Sequence, residues 1–291
     1  MAGLLRRRGG GLDDAGRAAV GRVLADPTFE LIPLKNARDQ AAFLPRGATV
    51  SVTASPAKGL EATVELAAEL ATGGLRAIPH LSARMVRDRE HLEALLDGVA
   101  AAGIDRAFVV GGDAEVPGEF LDGLSLLEAV ESLGRLPVEI GIPCYPQGHP
   151  TIPDERLLAA LHAKARFASY MTTQLCFDAA AIAEWLAARR AEGIELPVRI
   201  GIPGVAAIPK LLEISARIGV RDASRFIRKN ARFVGQLLAS GGLYRPTRLL
   251  EQLAPLIADP AANVIGLHVY TFNQVEATVA WRAADIAGLE S

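Results

Sequence analysis

Short apolar runs alternate along this chain with longer segments in which apolar residues recur at the spacing of a helix. Each run is nearly continuous in Val, Ile, Leu, Ala or Phe, as in parallel strands that are covered on both faces. The alternation predicts repeated βα units. Eight strands are predicted, at residues 29–33, 49–53, 76–80, 106–111, 138–143, 169–174, 198–202 and 264–270.

Alanine- and leucine-rich helices are predicted between the strands, for example at 59–72, 89–102 and 179–192. The interval between the seventh and eighth strands is the longest, and it contains three predicted helices at 207–218, 223–240 and 247–258. No polar linker or change of composition divides the chain there. We therefore interpret 26–291 as one catalytic domain, preceded in 1–25 by a flexible tail and a leading helix.

Two architectures can accommodate repeated βα units. An open, doubly wound sheet usually has a glycine-rich phosphate turn after its first strand, but here Leu34-Lys35-Asn36-Ala37 follows that strand. Eight units without such a turn favour an α/β fold of the closed (β/α)8 TIM type, with extra helices between the seventh and eighth strands. In such a barrel the active site lies at the carboxyl ends of the strands.

Composition excludes several classes of protein. Hydrophobic residues make up 50% of the chain and charged residues 22%, which suits one large core. The net charge of −2 provides no positive field for a nucleic-acid backbone. Cys144 and Cys176 are too few for a disulfide framework, and no apolar run reaches the roughly 18 residues that span a membrane. We expect a cytoplasmic protein that acts on a small molecule, as a monomer or a homo-oligomer.

Polar residues at or just after the predicted strands are candidates for the site. They are Glu30, Thr53, His80, Asp113, Tyr145, His149, Gln174, Tyr270 and Asn273. Glu30 lies in an otherwise apolar strand, where a carboxyl group without a partner is costly to ionise, so we expect a raised pKa that suits a general acid. The alternative is a structural salt bridge to Lys35 or Arg84, and the sequence favours neither interpretation.

Asp113 and the two histidines also have two interpretations. Asp113 follows Gly111-Gly112, where the backbone can approach a ligand closely, but it could instead cap a turn. His80 and His149 lack the short spacing and the third ligand of a metal site. No metal is therefore predicted, and the histidines are expected to be satisfied by the protein or to contact a ligand.

Seven short motifs occur in order along the chain: FELIP at 29–33, SVT at 51–53, PHL at 79–81, GD at 112–113, YPQGHP at 145–150, TQLCFD at 173–178 and HVYTFN at 268–273. Together they resemble the methylenetetrahydrofolate reductase family over nearly the whole chain. The last three motifs are the most specific.

The resemblance implies a flavin-containing barrel in which NADH or NADPH reduces bound FAD. The reduced flavin then passes hydride to 5,10-methylenetetrahydrofolate, a folate reaction of methionine biosynthesis. The family glutamate that matches Glu30 is the general acid that opens the folate's five-membered ring, because a hydride acceptor must be electron-poor. Asp113 matches an aspartate beside the flavin and pterin rings, and Gln174 matches a glutamine that hydrogen-bonds the pterin.

Other residues are assigned by the same resemblance. Tyr270 and Asn273 belong to the last motif and are expected at the folate. Lys164 resembles a lysine near the flavin phosphates, although its spacing to Gln174 is one residue shorter than is usual. The residues expected to bind the cofactor are Thr53, His80, Gly112, Asp113, Tyr145, His149 and Lys164.

The chain departs from the family at four places. Gly111 replaces an arginine, Gln147 a glutamate, Phe167-Ala168 an Ala-Gly turn and Gln274 an arginine. The first and third changes would remove flavin contacts and the last a folate contact. Three alternatives therefore stay open: direct hydride transfer from NADH without flavin, oxidation of methyltetrahydrofolate in a demethylation pathway, and a folate- or flavin-binding protein without turnover.

A basic cluster is also present, at Arg225, Arg228, Lys229 and Arg232. We interpret it as a solvated helix face, with steering of the folate's anionic tail as the alternative.

Overall fold

The computed structural model describes residues 12–209, 211 and 242–289. Eight of its strands are β1 (Thr28–Leu31), β2 (Thr49–Val52), β3 (Arg76–Ser82), β4 (Arg106–Val110), β5 (Glu139–Cys144), β6 (Tyr170–Thr173), β7 (Val198–Pro203) and β10 (Val264–Tyr270). They are parallel and close into a barrel in chain order, with β10 returning to β1. The predicted (β/α)8 barrel and its eight strands are confirmed, and the predicted bounds of the last strand agree residue for residue.

Helices surround this barrel. They are α1 (Asp14–Ala25), α2 (Ala37–Ala41), α3 (Gly59–Thr72), α4 (Arg89–Ala101), α5 (Gly123–Ser132), α6 (Asp154–Ala165), α7 (Ala179–Ala191), α8 (Thr247–Ala258) and α9 (Val275–Leu289). The predictions at 59–72 and 247–258 match α3 and α8. The predicted helix at 223–240, most of the one at 207–218, the basic cluster within them and the tail at 1–11 lie outside the described residues. No helix of the described part has both the length and the apolar character that crossing a membrane requires.

Two further short strands lie between β7 and β10. They are β8 (Ala206–Ala207) and β9 (Leu243–Tyr244), which pair antiparallel. The Tyr244 ring meets the ring of Phe177 edge-on at 5.8 Å, and Phe272 packs against the same small apolar cluster. This pair of strands therefore packs against the loops that follow β6 and β10, at the carboxyl end of the barrel.

Side chains alternate along each strand between the surrounding helices and the barrel interior. On β1, Phe29 and Leu31 belong to the main hydrophobic core, whereas Thr28 and Glu30 alternate with them. On β2, Val50 joins that core and Ser51 points inward to His80. The outward positions supply the apolar packing, and the interior of the barrel is left with polar groups.

The strand registers arrange the interior in levels. Because the strands are tilted, paired residues on neighbouring strands lie at different heights along the barrel axis. Inward side chains from every second strand therefore lie at one level. Ser51, Phe108, Thr172 and His268 form one such level, from β2, β4, β6 and β10. Glu30 and His80 belong to the next level toward the carboxyl end, so the first level is the floor beneath them.

Charged groups fill the opposite, amino-terminal end of the interior. Glu139 lies 3.6 Å from the guanidinium of Arg106 and 3.7 Å from that of Arg199. The Arg199 guanidinium also lies over the ring of Tyr170, 4.9 Å from its centroid. A ligand of the barrel interior must therefore enter through the carboxyl end, which we call the mouth.

Packing within the barrel predicts the effect of Gly201→Ala. A Cβ atom at this position would lie 2.2 Å from the carbonyl oxygen of Thr173 and 2.7 Å from the ring of Tyr270. Because a strand carbonyl cannot move aside cheaply, we expect the free energy of unfolding to fall by about 1–3 kcal/mol. Urea unfolding followed by circular dichroism measures this.

The control for this substitution is Gly21→Ala on α1, where the new Cβ would meet only Leu289, at 3.9 Å. Alanine is favoured over glycine in a helix by about 0.8–1.0 kcal/mol, so this variant should be as stable as the wild type or more stable. Equal urea midpoints for Gly201→Ala and wild type would contradict the close approach of β6, β7 and β10.

Candidate functional site

Glu30 lies at the mouth of the barrel and is paired there with a histidine. Its Oε2 atom is 3.1 Å from Nε2 of His268, which lies on the neighbouring strand β10. The Glu30 side chain is 12% exposed and that of His268 is 3% exposed. Within the described residues, Oε1 of Glu30 makes no hydrogen bond with the protein, so one carboxyl oxygen is held by His268 and the other is available to a ligand.

The alternative of a salt bridge from Glu30 to Lys35 or Arg84 does not occur in the structure. Arg84 donates instead to the backbone carbonyls of Ala114 and Glu115, at 2.9 and 3.3 Å, because it lies under the loop that follows β4. Lys35 is exposed in the loop after β1 and makes no ion pair with Glu30. The ionisable partner is on the adjacent strand, where the barrel's register places it.

His80 lies inside the barrel and not at its rim. Its Nε2 is 2.5 Å from the hydroxyl of Ser51, and its ring is 4.7 Å from the ring of Phe108. Burial lowers the pKa of His80 to about 3, with a smaller contribution from the nearby His268. His80 is therefore a neutral imidazole in the folded protein near neutral pH.

Tyr270 and Asn273 have different surroundings. The Tyr270 hydroxyl donates to the carbonyl of Thr173 at 3.1 Å, and burial raises its pKa well above the ordinary value, with Glu30 adding to the effect. Asn273 is buried, and its amide nitrogen donates both to the Ile32 carbonyl and to the Asn36 side chain. Its amide oxygen accepts from the Ile32 backbone, so Asn273 joins the loops after β10 and β1.

Gly112 and Asp113 lie in the loop that leaves β4. Gly112 has φ +85°, and a Cβ there would be 1.9 Å from the hydroxyl of Ser82, so the loop depends on glycine at this place. The preceding carbonyl, of Gly111, accepts a hydrogen bond from the backbone of Arg84 at 3.0 Å. The loop thus crosses the end of β3, and Asp113 is exposed just beyond it.

A pocket of about 920 Å³ begins at the ends of β4 and β5 and extends along α6. Gly111 and Tyr145 line it near the strand ends, and Lys164 lines it on α6. Lys164 is 7% exposed, and burial lowers its pKa while the carboxylate of Asp122 opposes that shift. The pocket therefore combines a buried amine with space that is continuous from the strand ends.

The remaining predicted residues also follow strand ends. Gln174 comes directly after β6, and its backbone donates to the carbonyl of Cys144 at 2.8 Å. Thr53 follows β2, and its backbone donates to Leu31 at 2.9 Å. The rings of Tyr145 and His149 meet edge-on at 5.5 Å in the loop after β5. Burial raises the pKa of Tyr145 to about 12 and lowers that of His149.

The Phe167-Ala168 turn is the place at which the resemblance implies the loss of a flavin contact. This turn joins the end of α6 to the start of β6, at the amino end of the strand. Phe167 is buried there, and the guanidinium of Arg166 stacks over its ring at 3.8 Å. The departure from the family's Ala-Gly turn therefore falls beside the end of α6 that carries Lys164.

Two residues near the site were not predicted. His268 begins the last motif but was not among the candidate site residues. It is two residues before Tyr270, and strand alternation places both on the same face. Asp122, the N-cap of α5, lines the pocket beside Lys164. The alternation could have identified His268, whereas the position of Asp122 requires the packing of α5 against α6.

The buried His80 predicts a pH dependence of stability. The unfolded chain binds a proton at His80 near pH 6.5, but the folded chain does so only near pH 3. The contribution of the neutral His80 to the free energy of unfolding is therefore complete above pH 6.5. It is lost as the pH falls toward 3, by up to about 1.4 kcal/mol per pH unit. We expect His80→Gln to reduce the slope of unfolding free energy against pH between these values. Urea titrations at several pH values, with the exposed His162→Gln as control, check this, and an unchanged slope would contradict a neutral His80.

Known proteins provide the remaining comparison. Two solved structures from Burkholderia cenocepacia J2315 resemble this chain. One, provisionally named a phosphonomutase, has 13% identity over 95% of this chain and 100% of its own, with a TM-score of 0.47. The other, provisionally named a lyase/mutase, has 16% identity over 96% of this chain and 87% of its own, with a TM-score of 0.44. Neither likeness bears on activity.

The family described as methylenetetrahydrofolate reductase matches residues 35–282, which is most of the chain. The chain therefore belongs to the methylenetetrahydrofolate reductase family.

Proposed function

We propose that this protein reduces 5,10-methylenetetrahydrofolate to 5-methyltetrahydrofolate with electrons from NADH or NADPH. Membership of the family supports an oxidoreductase of folate chemistry. The observation that carries the specific reaction is Glu30, whose carboxyl lies inside the mouth with one oxygen available to a ligand. A proton donor at this place is what the reduction requires.

Glu30 protonates the folate nitrogen that departs from the bridging carbon. The carbon–nitrogen bond breaks with its electron pair on that nitrogen, and the carbon becomes part of an electrophilic iminium. A hydride then adds to the carbon and completes the methyl group. The nicotinamide supplies the hydride, and Glu30 supplies the proton, so the electrons and atoms balance.

The other polar residues at the strand ends bind and orient the substrate in this proposal. Gln174 follows β6, three strands around the barrel from Glu30, and its side chain is the candidate partner of the pterin ring. Tyr270 is hydrogen-bonded to the Thr173 carbonyl, so its ring forms a fixed wall beside Glu30. Asp113 stands on the rim, where a carboxylate can influence the charge of a bound ring.

The pocket along α6 fits FAD. It is continuous from the strand ends to Lys164, as a dinucleotide with rings at both ends of a pyrophosphate requires, and its volume lies within the range of cofactor sites. Lys164 would hold the phosphates and Tyr145 would contact the flavin end, because both line this pocket. The other predicted cofactor residues, His149, Thr53, His80, Gly112 and Asp113, do not line it. When bound, FAD supplies a carrier that accepts hydride from the nicotinamide and passes it to the folate.

Glu30→Gln tests the general acid. The amide preserves the size of the side chain but cannot donate an acidic proton, so we expect kcat for methylenetetrahydrofolate reduction to fall by about 10²–10⁴-fold. Oxidation of NADH by an artificial quinone, which needs no protonation of folate, should stay near the wild-type rate. Both rates are followed by NADH absorbance. Unchanged folate reduction in this variant would show that Glu30 is not the acid.

Lys164→Ala tests the cofactor site. Loss of a charge-assisted hydrogen bond of about 1.5–3 kcal/mol should weaken FAD binding by roughly 10–100-fold. Quenching of flavin fluorescence during titration measures this, with the exposed Lys58→Ala as control. If wild-type protein shows no flavin absorbance and binds no added FAD but still oxidises NADH with methylenetetrahydrofolate, hydride passes directly and the FAD assignment is wrong.

A further inference from the structure

His268 is enclosed by the barrel and faces the proposed acid directly. Its side chain is 3% exposed, and its Nε2 atom is 3.1 Å from Oε2 of Glu30. The imidazole ring lies 4.9 Å from the ring of Tyr270 and 6.3 Å from that of Phe108. These contacts fix the plane of the imidazole, so the atom that meets Glu30 has one defined position.

No neighbouring group can take the place of His268. The ionisable side chains that face it are Glu30, His80 and Tyr270. The Tyr270 hydroxyl is engaged with the Thr173 carbonyl, and the Nε2 atom of His80 is engaged with Ser51. Among the described residues, the hydrogen bond from His268 is the single side-chain contact that holds the Glu30 carboxyl group.

We propose that His268 is the positioning residue of the general acid: its Nε2–H donates to Oε2 of Glu30 and so directs Oε1, which carries the acidic proton, into the mouth. This inference rests on the proposed reduction of methylenetetrahydrofolate. In the tautomer required, Nε2 carries the hydrogen and donates it to Glu30. His268 touches neither folate nor nicotinamide and acts only through Glu30.

The same hydrogen bond serves the step after proton transfer. The proton leaves Oε1 for the departing nitrogen of the folate, and Glu30 becomes a carboxylate inside the barrel. A hydrogen bond to a charged acceptor is stronger than one to a neutral acceptor, so the N–H of His268 stabilises the product of the transfer more than its starting state. The carboxylate regains its proton from solvent through the mouth after the product leaves.

The test compares His268→Phe with His268→Gln in the full chain. Phenylalanine keeps a planar ring but has no donor, whereas the amide nitrogen of glutamine reaches about as far as Nε2. The contact is of the charge-assisted class, so we expect His268→Phe to lower kcat for folate reduction by about 10–100-fold, with KM for the folate within about threefold of wild type. His268→Gln should restore most of this loss.

The chain offers a matched control in His91→Phe. His91 is another buried histidine, with Nε2 3.2 Å from Glu61, but this pair lies between the outer helices α3 and α4. Its removal should leave kcat and KM unchanged. A loss of kcat in His91→Phe equal to that in His268→Phe would reduce the effect to general damage and overturn the inference.

Other outcomes are equally decisive. Wild-type kcat in His268→Phe, or a loss in His268→Gln as large as that in His268→Phe, would show that no donor is needed. If His268→Phe does not fold, His268→Asn takes its place, because its shorter amide cannot reach Glu30, and equal rates for the Asn and Gln variants would overturn the inference. Failure of the wild type to reduce methylenetetrahydrofolate would instead reject the proposed function.

Discussion

A carboxyl group inside a closed barrel has to be matched by a partner, because burying it alone costs several kilocalories per mole. Here the partner of Glu30 comes from the strand that closes the barrel, at 3.1 Å. The pair exists only when β10 has returned to β1 in the correct register. Closure of the fold and assembly of the site are therefore one event.

Hydrogen bonds hold the backbone around the Glu30–His268 pair in place. Thr271 donates its hydroxyl to the Glu30 carbonyl, and Asn273 binds the backbone of Ile32 from both ends of its amide. Asn273 itself has φ +56°, a conformation that asparagine tolerates better than most residues. The residues after β10 thus make three hydrogen bonds with the backbone of Glu30 and Ile32, and these bonds fix the segment of chain that carries the Glu30 side chain.

The sequence predicted the barrel well because strands buried on both faces are continuous apolar runs, and β10 even has its predicted bounds. The family was predicted from a different signal, the seven short motifs that occur in the family's order. The match of the family to residues 35–282 confirms that prediction. The alternation of side chains along β10 could place His268 on the inner face, but its pairing with Glu30 depends on the register between β10 and β1, which the sequence does not show.

In the described part of the chain, Arg106, Glu139 and Arg199 fill the amino-terminal end of the barrel interior, so ligands of the interior use the mouth. In the proposed reaction a bulky nicotinamide dinucleotide and a bulky folate must arrive and depart through that same aperture. An excess of either molecule then obstructs the other, so the cellular ratio of the two, and not only the amount of each, sets the flux. A barrel that is open at both ends would be free of this mutual interference.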